Sequence, residues 1–147
     1  MSGSTEVKEK ITAFLAQWSG PDDAMQSCWR QLWQTVVAFA DIELSFVARP
    51  GISYSLRPKH IHQSRRALFA MIDVIDDDPA DRWLSVCFYG DMITDPQGRG
   101  EVVPAGLAGE DGYCFDLSAA NSDWVVYLQE RLQEAWQSAK VGESAVT

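Results

Sequence analysis

The stretch IELSFVARPGISYSLR, residues 42–57, decides the fold. Ile42, Leu44, Phe46 and Ala48 alternate with Glu43, Ser45 and Val47. Arg49-Pro50-Gly51 then makes a turn, and Ile52, Tyr54 and Leu56 alternate with Ser53, Ser55 and Arg57. A period of two sends successive side chains to opposite faces of a strand. The segment therefore predicts a hairpin with one buried and one wet face.

Further strands follow at Ala67–Ile75 and Arg82–Tyr89, joined by the turn-forming run Asp76-Asp77-Asp78-Pro79-Ala80-Asp81. Three short connections in succession favour an antiparallel meander over crossover units. Upstream the period is helical. Val7, Ile11, Phe14, Leu15 and Trp18 mark a helix over 5–18, ended by Ser19-Gly20-Pro21. A second helix, from Pro21 to Ala40, carries Asp22 and Asp23 in its first turn. Met25, Cys28, Trp29, Leu32, Trp33, Val36 and Val37 form its apolar stripe.

Residues 90–112 are rich in glycine and read as a long irregular loop, to which Val102 and Val103 add at most a short strand. Tyr113–Leu117 is one more strand, and a closing helix runs from Asn121 to Ala139. The expected fold is α+β in two layers. A four- or five-stranded antiparallel meander is covered by two amino-terminal helices and one carboxy-terminal helix. The 147 residues suit one domain, ordered over about 5–140 with a disordered tail over 141–147.

The charge is unevenly placed. From Leu44 to Ile72 there is no Asp or Glu, while Arg49, Arg57, Lys59, Arg65 and Arg66 all fall there with both histidines. Removing those five positive charges from a net −9 leaves the rest of the chain at −14. A basic hairpin on an acidic molecule is a docking point for a small anion or an acidic partner. Guanidinium forks bind carboxylate or phosphate bidentately. The plainer alternatives are a solvated loop that protects an edge strand, or pairing with the protein's own acidic turn. The candidate binding residues are Arg57, Lys59, His60, His62, Arg65 and Arg66, with Trp83 and Tyr89 lining an adjacent surface. On this reading, reversing the charge of Arg65 and Arg66 together abolishes binding and leaves the fold intact.

His60 and His62 would point the same way in an extended segment, but a metal site needs further ligands that no neighbour supplies. They read as exposed loop histidines, and no metal or cofactor is expected. The aspartates of the 76–81 turn lack the spacing of a calcium loop. Asp73 shares parity with Phe69 and Met71, opposite the apolar Leu68, Ala70, Ile72 and Val74, and reads as exposed. Trp83 shares parity with Ser85, Cys87 and Tyr89, a face that is either covered by the 90–112 loop or forms a ligand groove or a dimer patch. Nucleophile elbows, P-loops, zincin motifs and dinucleotide fingerprints are missing from the sequence. The leaning is towards a non-catalytic binding module. The alternatives are a ligand carrier or enzyme using Tyr89, Asp91, Arg99 and Tyr113 under the 90–112 loop, and a self-associating domain such as a homodimer.

Cys28, Cys87 and Cys114 are odd in number and form no CxxC pair, so they read as reduced, mostly buried thiols of a cytoplasmic protein. The amino terminus has neither the basic nor the apolar part of a signal peptide, and no apolar run nears the ~20 residues that span a bilayer. The acidic balance argues against nucleic acid as a partner.

RPGISYSLRPKH, RALFAMIDVI, RWLSVCFYGD and SDWVVYLQERLQEAWQSA, spanning roughly Ile42 to Ala139, resemble an uncharacterised family of small bacterial domains, some labelled predicted transport proteins. The resemblance lies in pattern and aromatic placement. It implies an α+β domain, often appended to other modules, with no established activity and no functional residues to carry over.

Overall fold

The computed structural model describes residues 2–18 and 23–142. The helix break expected over 19–22 and the tail from 143 onwards lie outside these residues. Three helices and a six-stranded antiparallel sheet make up an α+β fold. Helix α1 (Ser2–Gln17) buries Val7, Ile11 and Phe14. Helix α2 (Ala24–Val37) is capped by Asp23, whose carboxylate accepts from the Gln26 amide at 2.9 Å. It buries Cys28, Trp29, Leu32 and Val36.

The strands are β1 (Ile42–Arg49), β2 (Ser53–His60), β3 (Met71–Ile75), β4 (Trp83–Phe88), β5 (Glu101–Leu107) and β6 (Glu110–Leu117). They lie in the order β1-β2-β3-β4-β6-β5, every pair antiparallel. The first four form the expected meander. After β4 the chain passes to the far edge, runs out along β5, and returns beside β4 as β6. Helix α3 (Ser122–Lys140) starts at Asn121, whose side chain accepts from the Trp124 amide at 3.0 Å.

Register explains the layering. Tyr54, Val74, Leu84 and Leu117 are neighbours across four strands, as are Leu56, Ile72, Val86 and Phe115. These rows face the helices. Phe14 stacks on Tyr54 with ring centroids 4.1 Å apart, and Phe115 meets Trp124 edge-on at 6.0 Å. Burying such apolar rows at roughly 25 cal/mol per Å² is the main force holding the layers together. The helices gather on this face; the alternate residues make up an open face.

The sixth strand is β5. Its sequence, EVVPAGL, is exposed along most of its length and carries Pro104 at a sheet edge, where a missing N–H costs no ladder bond. Between Val103 and Leu107 the register shifts, and Ala105 takes a left-handed φ of 54°. Such a bulged, solvent-facing strand has no apolar alternation to announce it.

Candidate functional site

The open face is ordered by the same register. Val47, Ser55, Asp73, Ser85 and Asp116 lie side by side across five strands. On one flank come Arg49, Ser53, Ile75 and Trp83; on the other, Met71, Cys87, Cys114 and Glu101. The serines are too short to cover the backbone, so the arginines of the β1–β2 hairpin fold over them. Arg57 Nε donates to Ser55 Oγ at 3.0 Å, and Arg49 Nη2 to Ser53 Oγ at 3.5 Å.

Beside this layer lies a cleft of about 310 Å³, with Asp73, Ser85 and Met71 on its floor and Trp83 on one wall. Cys87, Cys114 and Asp116 continue the floor, and Val103 and Gly106 of the β5 bulge bound it. Asp73 lies on the face that parity assigned to it but is only 8% exposed, so the expectation of an exposed side chain is corrected. Flanking long side chains desolvate it. Burial raises its pKa, opposed by a hydrogen bond from Ser55 and by the positive charges of Arg57 and Arg49. Its Oδ1 has no hydrogen-bond partner. An unsatisfied buried acceptor costs about 1–3 kcal/mol, an unfavourable arrangement that a bound donor would relieve.

Cys87 and Cys114 face each other across β4 and β6 and form a disulfide, with Cα atoms 4.1 Å apart. This corrects the expectation that all three cysteines are reduced; Cys28 alone is a free, buried thiol. Ser85 Oγ sits 3.7 Å from Cys87 Sγ.

The residues singled out from sequence fall in different places. Arg57 and Trp83 share the open face. Lys59 lies on the same side of β2, 3.8 Å from Glu43. His60 is fully buried, not in an exposed loop. Its Nδ1 accepts from the His62 amide at 3.1 Å, and its Nε2 has no partner. Burial lowers its pKa, helped by the neighbouring His62 and Lys140 and opposed by Asp41. His62 is exposed, with Nδ1 2.9 Å from the Lys140 carbonyl oxygen. Arg65 is exposed as well.

Arg66 is buried, and its charge is already taken. It donates to Asp91 at 2.9 and 3.2 Å and to Glu110 at 2.9 and 3.2 Å, and lies 3.8 Å over the ring of the buried Tyr89. Burial disfavours its charge, but the hydrogen bonds it donates to Glu110 and Asp91 outweigh this and raise its pKa. Among the described residues its ion pairs are with these two carboxylates, not with the acidic 76–81 turn. Asp76 of that turn is instead buried against Arg82 at 2.7 Å and accepts from the Gly51 amide at 2.8 Å, tying the turn to the β1–β2 hairpin.

The polar groups expected under the 90–112 loop are also bonded internally. Asp95 accepts from Tyr113 at 2.6 Å, from Tyr127, and from the amides of Arg99 and Gly100 at 3.0 and 2.9 Å. Burial would raise its pKa, but these donors overcome that and lower it. Arg99 lies 4.6 Å over the Trp124 ring. The segment is therefore a pinned corner followed by a hairpin. A larger surface groove of about 460 Å³ runs between Asp91 and Val141, but Glu134 on its wall already accepts from Thr94 and Arg131. Among the described residues, no group of three or more His, Cys, Asp or Glu is placed to hold a metal ion, and no helix is long and apolar enough to cross a membrane.

Sequence reasoning missed Asp73 and the cysteine pair. The available signal was the shared parity of Ser53, Ser55, Asp73, Ser85 and Cys87, which marks a face of small polar residues. The chain matches no family model, no curated protein and no solved structure.

Proposed function

We propose that this protein is a non-catalytic binding module whose open sheet face takes a small anionic ligand that also carries a hydrogen-bond donor. The carrying observation is the buried Asp73 with its unpartnered Oδ1 on the floor of the cleft. A hydroxyl or ammonium group of the ligand would satisfy that oxygen. Arg57 and Arg49, which already lie over the neighbouring serines, would swing onto the ligand's carboxylate or phosphate. Trp83 supplies an apolar wall. The basic hairpin thus contributes to recognition through Arg49 and Arg57, while Arg66 serves the fold. A cleft of about 310 Å³ is at the small end of the range for small-molecule sites, which favours a metabolite over an acidic protein segment.

The test is a thermal-shift screen against hydroxy acids, amino acids and phosphorylated alcohols. At ligand concentrations near a hundred times Kd, stabilisation is about 2.7 kcal/mol, or roughly 5–10 °C for a chain of this size. The shift should shrink sharply in Arg57→Ala and persist in Arg65→Ala. A wild-type protein that shifts with none of these compounds overturns the reading. Self-association has one supporting feature, the exposed Val102 and Val103 on the β5 edge. The bulge and Pro104 in the same strand work against extended pairing there.

A further inference from the structure

The Cys87–Cys114 disulfide has an unusual setting. It lies across two strands of the sheet's open face, and both cysteines line the cleft. It joins strands that are also paired backbone to backbone, in register from Leu84–Leu117 to Phe88–Tyr113, and closing a loop of this length stabilises the fold through the unfolded chain as well. Its surroundings are polar. Ser85 Oγ is 3.7 Å from Cys87 Sγ, and Ser85 is the direct cross-strand neighbour of Asp73. Side chains so paired have Cβ atoms roughly 4.5–5.5 Å apart; Asp73 is hydrogen-bonded by Ser55 and its Oδ1 is unpartnered, so the carboxyl passes a proton to Ser85 by turning towards it. Gly112, two residues before Cys114 on the same face, contributes no side chain; a Cβ there would sit 3.2 Å from Cys114 Sγ.

We propose that Cys87 and Cys114 form a redox-active pair that exchanges with dithiol substrates at the cleft, with Asp73 and Ser85 as positioning residues that supply and accept the proton of Cys87. A thiolate of the incoming dithiol attacks Cys114 Sγ. The new sulfur–sulfur bond forms there, and the Cys87–Cys114 bond breaks. Cys87 leaves with the electron pair and takes a proton from Asp73 by way of the Ser85 hydroxyl. The second thiol of the substrate then attacks the mixed disulfide, closes the substrate's own disulfide and releases Cys114, which is protonated from water. Two electrons and two protons pass from the dithiol to the pair, and Asp73 regains its proton from solvent. Run backwards, the reduced protein reduces a disulfide.

The carboxyl suits this task because its burial leaves it a weaker acid than an exposed aspartic acid. Arg49 of β1, Arg57 of β2, Asp116 of β6 and Glu101 of β5 face the same surface and contribute to the local field. The activity shares the cleft and Asp73 with ligand binding but not Arg57, which neither step uses.

The test starts with the oxidised, folded protein in dithiothreitol at neutral pH without denaturant, followed by maleimide labelling and mass measurement. Two labels per chain, appearing while circular dichroism stays native and Cys28 stays unlabelled, support the proposal. A pair that opens only on unfolding, or that cannot be formed by a disulfide oxidant, overturns it. The second measurement is the pH dependence of iodoacetamide alkylation of the reduced pair. Asp73→Asn removes a group that titrates beside the pair, so the ratio of variant to wild-type alkylation should change with pH as the wild-type carboxyl ionises, by up to about tenfold for a charge within several ångströms. Ser85→Ala provides the same comparison without altering charge, shifting the profile by a smaller amount. Profiles identical to wild type in both variants overturn the part assigned to Asp73 and Ser85. Arg57→Ala should lose ligand and keep exchange, so failure of one reading is distinguishable from failure of the other.

Discussion

Arg65 and Arg66 are adjacent and chemically identical, yet their replacement should have very unequal consequences. The Arg66 side chain is 6% exposed and makes four charged hydrogen bonds, two to Asp91 and two to Glu110. Each such bond is worth about 1.5–3 kcal/mol when both partners are sequestered. Here the partners are not: the Asp91 and Glu110 side chains are 39% and 46% exposed. Water would rehydrate them in a variant, so each pair is worth nearer ~1 kcal/mol, as at surfaces. The buried methylenes and the contact with Tyr89 add about 1–2 kcal/mol more. Arg66→Ala should therefore cost about 3–4 kcal/mol, or roughly 6–16 °C in Tm for a chain of this length.

Arg66→Glu should cost more, because it sets a third carboxylate between two others. Arg65→Ala should stay within about 0.5 kcal/mol, as surface substitutions usually do. The expectation that a double charge reversal at 65 and 66 spares the fold is thereby overturned. Urea and thermal unfolding followed by circular dichroism provide the assay. The pH dependence adds an internal check. Glu110 has its pKa lowered chiefly by the hydrogen bond from Arg66, so its share of stability is present above the ordinary value of 4.5 and is lost as pH falls through the folded-state value. The gap between wild type and Arg66→Ala should accordingly narrow below about pH 4.5. A loss under about 1 kcal/mol at neutral pH, or a gap that does not change on acidification, refutes this account of Arg66.

Asp73 has the opposite sign. Its folded pKa is raised, so its contribution to stability is fully present below the ordinary value of 3.8 and is lost as pH rises through the folded value. Asp73→Asn should therefore flatten the decline of Tm above pH 3.8, which melting curves across pH 3–8 would read; an unchanged slope counts against a desolvated carboxyl. Asp95→Ala should free the 90–100 corner, costing about 2–4 kcal/mol from several lost hydrogen bonds and accelerating amide exchange at Arg99 and Gly100 more than in the sheet centre.

What the sequence made legible follows from burial. The hairpin at 42–57 was readable because one face packs against helices, and a one-residue slip would turn every apolar side chain to water. The helices were readable for the same reason, to within a few residues at their ends. β5 was not, because an edge strand facing solvent has no apolar period and this one contains Pro104 and Gly106. The site was half legible. Parity placed Trp83, Ser85 and Cys87 on one face, but nothing local told that β6 would bring Cys114 opposite Cys87. That contact spans 27 residues and depends on the chain first crossing to the far edge. Charge was the weaker guide. A run of basic residues does not show which of them meets a carboxylate at home, and Arg66 finds two.

The open face is the place where stability and function pull apart. An antiparallel sheet with one solvated face is ordinarily furnished with side chains that water can reach. Here the row through Ser55, Asp73 and Ser85 is small and polar, and Ser55 and Asp73 are almost wholly withdrawn from water. Desolvating a carboxyl without satisfying both oxygens works against folding; valine at the same position would fit the pleat without that cost. The helix-facing side is mostly apolar, with rows of leucine, isoleucine, valine and phenylalanine in register, although Nε2 of His60 and Nε1 of Trp29 are also buried without partners. A buried carboxyl with one unpartnered oxygen, beside two arginines, a tryptophan and a disulfide, is what a site held ready for a missing donor would look like. Ligand binding and thiol exchange both depend on that one carboxyl, for different reasons: the first uses its unpartnered oxygen as an acceptor, the second its proton. Asp73→Asn should therefore weaken ligand binding at every pH, whereas its effect on thiol exchange should follow the titration of the wild-type group.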